Sequence, residues 1–502
     1  HLLYAILVLA VSANAVGANS VDEYRTSLIA EITGSEFEDG KGKPKSSISL
    51  TKAIQDFDPE DESRGRAAWD FLRRLSASQT FQSQFWQTRP LLLRCHEIKS
   101  VSRSEANWVK NSFTIEKDLR LVDNSFISGS RTDDILRNGT KTDSWAFRNI
   151  KPDLTKRTTW AEVKEALDGG TIYFNTAGSF WPSLGALCRL TSYAFGLPTN
   201  VNIYITPPGS TISVPPHTDR QDVILFHTAG CKRWRVYNPP KRAKGKDPLN
   251  RGKGGDVIEQ ADLGAPLLDV VLRKGDVMYI PAGFPHTTDT STVVEEETVP
   301  AEDSDGEMDL FKETSVHLTM GLDTHVWALT YAHLRWALLQ RCEKDWKVEI
   351  HDDEAYWESM KMIPVGFLSG DGNRCIKTNT NHGENAKSNV VENSTVEALK
   401  RILIALEPER WGNEVPPSDD DIRQAIRYLT HDHLGSLLDI QEEMYRDVNP
   451  CDENTIIKGY QCSQKQNEVM QRFGEFSKND AMKNVFEQRR LLREQKASGA
   501  IN

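Results

Sequence analysis

The sequence predicts an α+β chain built round a double-stranded β-helix, a jelly-roll barrel with flanking helices and a mainly helical C-terminal region. Three observations carry that expectation. Short β-branched or apolar runs, Val201 to Ile205, Val223 to Phe226 and Val277 to Ile280, have the length of barrel strands. Pro/Gly turn signals stand between them, as in Thr206-Pro207-Pro208-Gly209-Ser210 and Lys274-Gly275-Asp276. Helical periodicity lies before and after this region, in Arg66 to Leu75 and in Asp323 to Val348. Short strands separated by tight turns are the pattern of a double-sheet jelly roll.

The 502 residues divide into six expected parts. Residues 1–18 read as a signal peptide: Leu2 to Val11 is almost wholly apolar, and small residues from Ser12 to Ala18 offer cleavage after Ala15 or Ala18. The stretch is too short for a membrane span. The competing reading is a buried terminal strand or helix. The expected destination is the secretory pathway: the endoplasmic reticulum lumen, secretion or plastid routing. Residues 19–76 form a polar, helical region with a linker at Gly40-Lys41-Gly42-Lys43-Pro44. Residues 77–325 hold the barrel. Residues 326–370 are helical, with Trp327, Leu329, Tyr331, Leu334, Leu338 and Leu339 at helical spacing. Residues 371–395 are Asn/Gly-rich and read as a linker. Residues 396–502 form a helical region, with helices over Val396 to Leu406, Asp419 to Tyr445 and a charged helix over Asn479 to Gln495. No internal repeat is present.

The chemistry is concentrated in His217-Thr218-Asp219 and in His286, which ends the run Lys274 to His286. Two imidazoles and a carboxylate are what a facial triad on non-haem Fe(II) requires. Residues i and i+2 of a strand share a face, so His217 and Asp219 can grip one ion, and His286 can join from a distant strand. A His-x-Asp triplet alone occurs by chance in many chains. The strand and turn signals on either side set this one apart.

Several further motifs, in order, resemble one family. Phe85-Trp86-Gln87-Thr88-Arg89-Pro90-Leu91, Asn202-Ile203-Tyr204-Ile205-Thr206-Pro207-Pro208-Gly209, Gly230-x-Lys232-x-Trp234-x-Val236-Tyr237 and Ser315-Val316-His317-Leu318-Thr319 are similar to the JmjC/cupin-4 oxygenases dependent on Fe(II) and 2-oxoglutarate. The nearest type is the ribosomal oxygenases, the bifunctional lysine demethylase and histidyl-hydroxylase group. The resemblance spans Ala77 to Leu322. It implies His217, Asp219 and His286 as iron ligands and Lys232 as the cation for the far carboxylate of 2-oxoglutarate. It also implies Asn202 and Tyr204 as polar residues facing that co-substrate, with O2 as oxidant. Their spacing agrees: Asn202 and Tyr204 share a strand face, as do Lys232 and Trp234. A lysine inside a barrel is costly unless paired, and a carboxylate would pair it. The plain alternatives are an exposed strand lysine and an ordinary core tyrosine.

Three departures stand out. The loop Thr206 to Pro216 is one residue longer than the family pattern. Gly321 stands where many relatives have a serine four residues after the histidine of the Ser-x-His-Leu-Thr strand. The connection from His286 to Ser315 carries an acidic insert, Glu295, Glu296, Glu297, Glu302, Asp303, Asp305, Glu307 and Asp309. A solvated loop is the bland reading of that insert; a flap attracting a basic substrate is the sharper one.

Composition excludes some classes. A formal net charge of −11 argues against a general nucleic-acid binder. The basic stretch from Lys241 to Lys253 falls between strands and reads as a loop. Seven cysteines leave an odd thiol, and Cys451 with Cys462 or Cys375 could bridge in an oxidising compartment. Asn138-Gly139-Thr140 and Asn393-Ser394-Thr395 are glycosylation acceptors.

The expected activity is hydroxylation of a protein side chain, of histidyl or arginyl type. The alternatives are a lysine demethylase with the same iron chemistry, a non-oxidative zinc or manganese cupin, or a silent JmjC-like binding module. Expected partners are a protein substrate and, as in the family, a second copy through the post-barrel helices. No nucleic acid and no membrane anchor are expected. Relatives act on ribosomal proteins or histones, so the nucleus or nucleolus is the alternative location.

Overall fold

The computed structural model describes residues 23–33, 48–98, 108–115, 117–123, 125–131, 136–137, 140–141, 144–149, 154, 157–210, 214–239, 258, 261, 263–291, 314–322, 324, 326–345, 353–369 and 385–471. The segment Leu2 to Ala18, the Gly40 to Pro44 linker, Asn138, the Lys241 to Lys253 stretch, the acidic insert, Cys375 and Asn479 to Gln495 lie outside the described residues.

Helices α1 (23–33), α2 (Ile48–Phe57) and α3 (Glu62–Ala77) precede the first strand, β1 (Leu91–Leu93), and the short α4 (Cys95–Ile98). Next come β2 (Ile127–Arg131), β3 (Leu136–Arg137), β4 (Thr140–Lys141), β5 (Ser144–Asn149), α5 (Trp160–Gly169), β6 (Thr171–Phe174) and α6 (Pro182–Phe195). The barrel strands follow: β7 (Thr199–Thr206), β8 (Val214–His217), β9 (Asp222–Ala229), β10 (Cys231–Tyr237), β11 (Pro266–Arg273), β12 (Val277–Ile280), β13 (His286–Asp289) and β14 (Ser315–Leu322). The C-terminal helices are α7 (Tyr331–Arg341), α8 (Asp353–Ser359), α9 (Asn385–Leu406), α10 (Pro408–Asn413), α11 (Asp419–Arg427), α12 (Leu434–Tyr445) and α13 (Glu453–Gln471).

Two sheets face each other, as the turn pattern implies. One has the order β1-β12-β9-β14-β7-β6-β5-β2 and the other β11-β10-β13-β8; β3 and β4 pair separately. Alternation decides which residues enter the barrel. On β7, Val201, Ile203 and Ile205 join the large core that includes the helices, while Asn200, Asn202 and Tyr204 lie on the opposite face. A second apolar cluster, including Val223, Leu225, Trp234, Val236, Met278, Ile280 and Phe284, fills one half of the interior. Polar residues occupy the other half.

The N-terminal region is helical, and beneath its polar average it has a buried apolar face. Leu28, Ile32, Ala53, Phe57, Phe71 and Leu72 are buried in the main core. Trp108 ties these helices to the barrel. Its ring lies 5.9 Å from Phe57, 5.8 Å from Phe71 and 5.1 Å from Phe226 of β9. Composition hid this because the exposed faces of α2 and α3 are charged, so the average is polar while one stripe is apolar.

The C-terminal helices clasp the barrel. The Thr199 amide at the start of β7 donates to Gln441 Oε1 at 2.8 Å, and its carbonyl accepts from the Tyr445 hydroxyl at 2.8 Å. Arg189 of α6, itself 1% exposed, donates to Glu442 at 3.2 Å. Helix α7 is shorter than the periodicity of Asp323 to Val348 implies, because the chain turns through Ala328 at φ 63° before it. Eight of its eleven residues are buried, and the helix packs against α9 and α11 of the same chain. Helix α9 begins at Asn385, so the last part of the expected linker is helical. Its Asn- and Ser-rich first turns carry no apolar stripe that would have signalled a helix. Cys451 and Cys462 do not bridge: both are free thiols, Cys462 buried on α13 and Cys451 donating to the Leu121 carbonyl at 3.6 Å. No described helix is long and apolar enough to cross a membrane.

Trp108→Ala removes the side chain shared by three elements and leaves a cavity. Expected destabilisation is about 3–5 kcal/mol, read by urea unfolding. A loss under about 1 kcal/mol would show that α2 and α3 do not depend on this ring.

Candidate functional site

Strand β8 pairs antiparallel with β13, and the register sets His286 directly opposite His217. Their rings are 4.3 Å apart at 60°. Asp219 follows just beyond the end of β8, and its carbonyl accepts from the Gly283 amide at 2.9 Å. That bond brings the Asp219 carboxylate to 3.7 Å from His286 Nε2. One ligand atom from each of the three residues lies within 4.8 Å of the others. His217 and His286 are buried, and the Asp219 side chain is 24% exposed. His286 Nδ1 lies 3.1 Å from the Phe284 carbonyl. A proton on Nδ1 satisfies that carbonyl and leaves the Nε2 lone pair for an ion, the usual arrangement behind a ligating imidazole. Three donors of this kind can hold one divalent cation and leave coordination positions open. The resident chemistry fits hydrated iron better than a closed structural zinc site, which takes four protein ligands.

The polar half of the interior continues from this centre. Trp234 packs against His286 at 5.8 Å and edge-on to His317 at 5.1 Å. Tyr173, Tyr204, His317 and His227 are register partners across β6, β7, β14 and β9. Their rings form one stack with spacings of 5.8, 5.1 and 6.3 Å. Lys232 is 1% exposed and donates to Thr206 Oγ1 at 2.8 Å. Burial pushes its ammonium down to about 7, with Asp289 opposing the shift. Burial also holds His227 at about 3 and His317 well below the usual imidazole value. Both are therefore neutral, and Lys232 is the cation of this pocket. His227 Nδ1, His317 Nδ1 and Trp234 Nε1 are buried without a hydrogen-bond partner. An ammonium held by one neutral hydroxyl is expensive in a dry interior. A carboxylate ligand would pair it, so the pocket fits an anionic co-substrate.

The residues expected from the sequence therefore converge in part. His217, Asp219 and His286 meet. Lys232 and Tyr204 lie in the same interior. Asn202 is in the inward row of β7, but its Oδ1 already accepts from the Thr176 amide at 2.9 Å, with Thr176 left-handed at φ 55°. Sequence reading placed Thr206 in a turn; it is the last residue of β7 and the partner of Lys232. Its position two after Tyr204 was the available signal. His227 and the role of His317 were also missed, although His317 stands in a quoted motif. At Gly321, a Cβ would approach the Gln221 side chain to 3.0 Å. Gln221 fills the space that a serine would use there. The long loop after β7 is tied down by Thr290, whose hydroxyl donates to the Pro207 carbonyl at 2.8 Å and accepts from the Ser210 amide at 2.9 Å.

Co(II) added to the full chain should bind at one site. His217→Ala or Asp219→Ala should abolish that binding and leave the melting temperature nearly unchanged, because neither residue belongs to the two apolar clusters that hold the barrel together. Calorimetric titration beside thermal unfolding checks both. Full Co(II) occupancy in either variant would place the ion elsewhere.

The JmjC domain family matches residues 183–299, from α6 to beyond β13. The bifunctional lysine-specific demethylase and histidyl-hydroxylase NO66 of Drosophila mojavensis is 26% identical over 250 residues, 49% of this chain and 25% of that protein. Ribosomal oxygenase 1 of Danio rerio is 26% identical over 257 residues, 49% of this chain and 43% of that protein. The matches thus span less than half the length of these relatives. YcfD, a ribosomal oxygenase from Escherichia coli, has a solved structure 16% identical, covering 64% of this chain and 68% of its own, with a TM-score of 0.30. Residues 183–299, which include His217, Asp219 and His286, are thus similar to a JmjC domain.

Proposed function

We propose that the chain is an Fe(II)- and 2-oxoglutarate-dependent oxygenase that hydroxylates a protein side chain. The observation that carries this reading is the pairing of an open three-ligand site with a buried lysine whose ammonium donates to a neutral hydroxyl. His217, Asp219 and His286 would hold the ferrous ion. Lys232, with Thr206 beside it, would hold the far carboxylate of 2-oxoglutarate, and Tyr204 lines the same space. When bound, iron and 2-oxoglutarate supply oxidation by O2, with succinate and carbon dioxide as co-products. The chain contributes position and dryness. Trp234 and the apolar cluster behind it keep water from the ligands, and neutral His227 and His317 add no positive charge beside Lys232. A non-oxidative metal cupin or a silent binding module has no need of a buried lysine in this place.

The names of the relatives include both histidyl hydroxylation and lysine demethylation. Both insert oxygen at a C–H bond, so the site serves either, and the product distinguishes them. Succinate release from purified protein with Fe(II), 2-oxoglutarate and candidate peptides, followed by mass spectrometry, tests the reading. A gain of one oxygen supports hydroxylation; loss of a methyl group supports demethylation; no succinate with any peptide counts against both. The Leu2 to Val11 segment supports a lumenal or secreted protein as substrate. N-terminal sequencing from native cells tests that location, and an uncut N-terminus in a nuclear fraction would overturn it.

Lys232→Ala should raise the 2-oxoglutarate requirement on the order of ten- to a hundredfold, the loss of a charge-assisted bond of about 1.5–3 kcal/mol. Co(II) affinity should stay the same. An unchanged 2-oxoglutarate requirement would move the anchor away from Lys232.

The lowered Lys232 pKa sets a pH dependence. The dicarboxylate needs the charged ammonium, which is fully present below about 7 and lost as pH rises past that value. Affinity for 2-oxoglutarate should therefore fall on the alkaline side, and binding there should take up a proton. Calorimetry in buffers of different ionisation enthalpy measures the uptake. No uptake on the alkaline side would mean that Lys232 stays charged in the free protein.

A further inference from the structure

Asp222, three residues past Asp219, is fully buried and is not one of the three ligands. Its Oδ1 accepts from the Tyr279 hydroxyl at 2.6 Å and from the Ala282 amide at 3.3 Å. Its Oδ2 accepts from Gln87 Nε2 at 3.1 Å. Four segments therefore meet on one carboxylate: the start of β9, β12, the Phe85 to Leu91 motif, and the loop from Pro281 to Pro285. Gln87 is held at φ 54°, and its own amide donates to the Tyr279 hydroxyl at 2.8 Å. Trp86 stacks on the Tyr279 ring at 5.8 Å. The motif thus reaches the barrel through Asp222 and Tyr279.

The loop that Asp222 grips is the one that orients two ligands. The Gly283 amide holds the Asp219 backbone, and the Phe284 carbonyl faces His286 Nδ1. Gly283 itself is left-handed at φ 82°, so the loop has a single tight path. We propose that Asp222 is a positioning residue of the metal centre, fixing the Pro281–Pro285 loop so that Asp219 and His286 converge. The proposal rests on the reading of His217, Asp219 and His286 as metal ligands.

A purely structural carboxylate would behave differently, and the chain contains one for comparison. Asp276 is also buried, and it accepts from Arg94 Nη1 at 2.9 Å, the Cys95 amide at 2.9 Å and the Arg273 amide at 3.0 Å. It likewise joins the N-terminal region to β12, but at the other end of that strand, away from the loop.

The test is Co(II) titration of the full chain, read by calorimetry and by the visible absorption of the bound ion, beside thermal unfolding. Asp222→Asn should weaken Co(II) binding about ten- to a hundredfold and alter the absorption band. Asp276→Asn should lower the melting temperature and leave both readouts as in the natural protein. In Asp222→Asn the new amide nitrogen opposes a donor, that of Gln87, so adding Gln87→Glu should recover most of the lost affinity. Unchanged affinity and spectrum in Asp222→Asn, or an equal loss in Asp276→Asn, would overturn the proposal. If Asp222→Asn does not fold, Asp222→Glu displaces the same oxygen from Ala282 and is expected to give the same loss; unchanged binding there overturns it too. Failure of the natural protein to bind Co(II), or full binding by His217→Ala, would instead refute the metal reading itself.

Discussion

The pairing of β8 with β13 is the constraint on which the interior depends. Side chains alternate along a strand, so a slip of one residue would turn His286 to the outside and bring Thr287 in. The same register passes to β10, where Val236 lies opposite His286 and Trp234 opposite Thr288. Lys232 is two residues further along that inward row. The triad and the buried lysine are thus one consequence of one alignment. The neighbouring sheet adds its own row, Tyr173, Tyr204, His317 and His227, at matched positions on four strands.

The arrangement carries a stability cost. Half of the barrel interior is polar, with three ring nitrogens buried and unpartnered and a cation on a single hydroxyl. Each such group disfavours folding by about 1–3 kcal/mol relative to a satisfied one. The compensation lies outside the barrel. Trp108, Phe57, Phe71 and Phe226 form a dense aromatic contact between the first helices and the sheet. Arg335 and Glu407, both nearly fully buried, pair between α7 and the start of α10. The helical layers are therefore what allow the inner surface to remain imperfectly satisfied, a common distribution of strain in proteins that bind ligands.

Much of this was readable from the chain because period-two spacing maps directly onto a strand face. Asn202 and Tyr204, and Lys232 and Trp234, are such pairs, whereas Asp219 lies just beyond the strand that carries His217 and reaches the site through its bond to the Gly283 amide. What escaped had no local signature. Thr206 sits against Pro207-Pro208-Gly209 and looks like turn, although it continues the Asn202 and Tyr204 row and pairs with Ser315 of β14. Asp222 reads as a polar residue at a strand start, and its three hydrogen bonds come from residues 57 to 135 positions away. The first helices looked polar because composition averages over both faces. The start of α9 was unreadable because its first turns lack an apolar stripe and are helical only by continuation from the buried part beyond Val396.

The clasp at the start of β7 has a bearing on how the protein is made. Thr199 finds its partners 242 and 246 residues further along the chain. A polypeptide leaves the ribosome N-terminus first, at roughly 5–20 residues per second, so these partners arrive about 12 to 50 s after Thr199. During that interval the head of a central strand has its backbone groups open to any edge it meets. Truncation before α12 would leave that strand end permanently exposed.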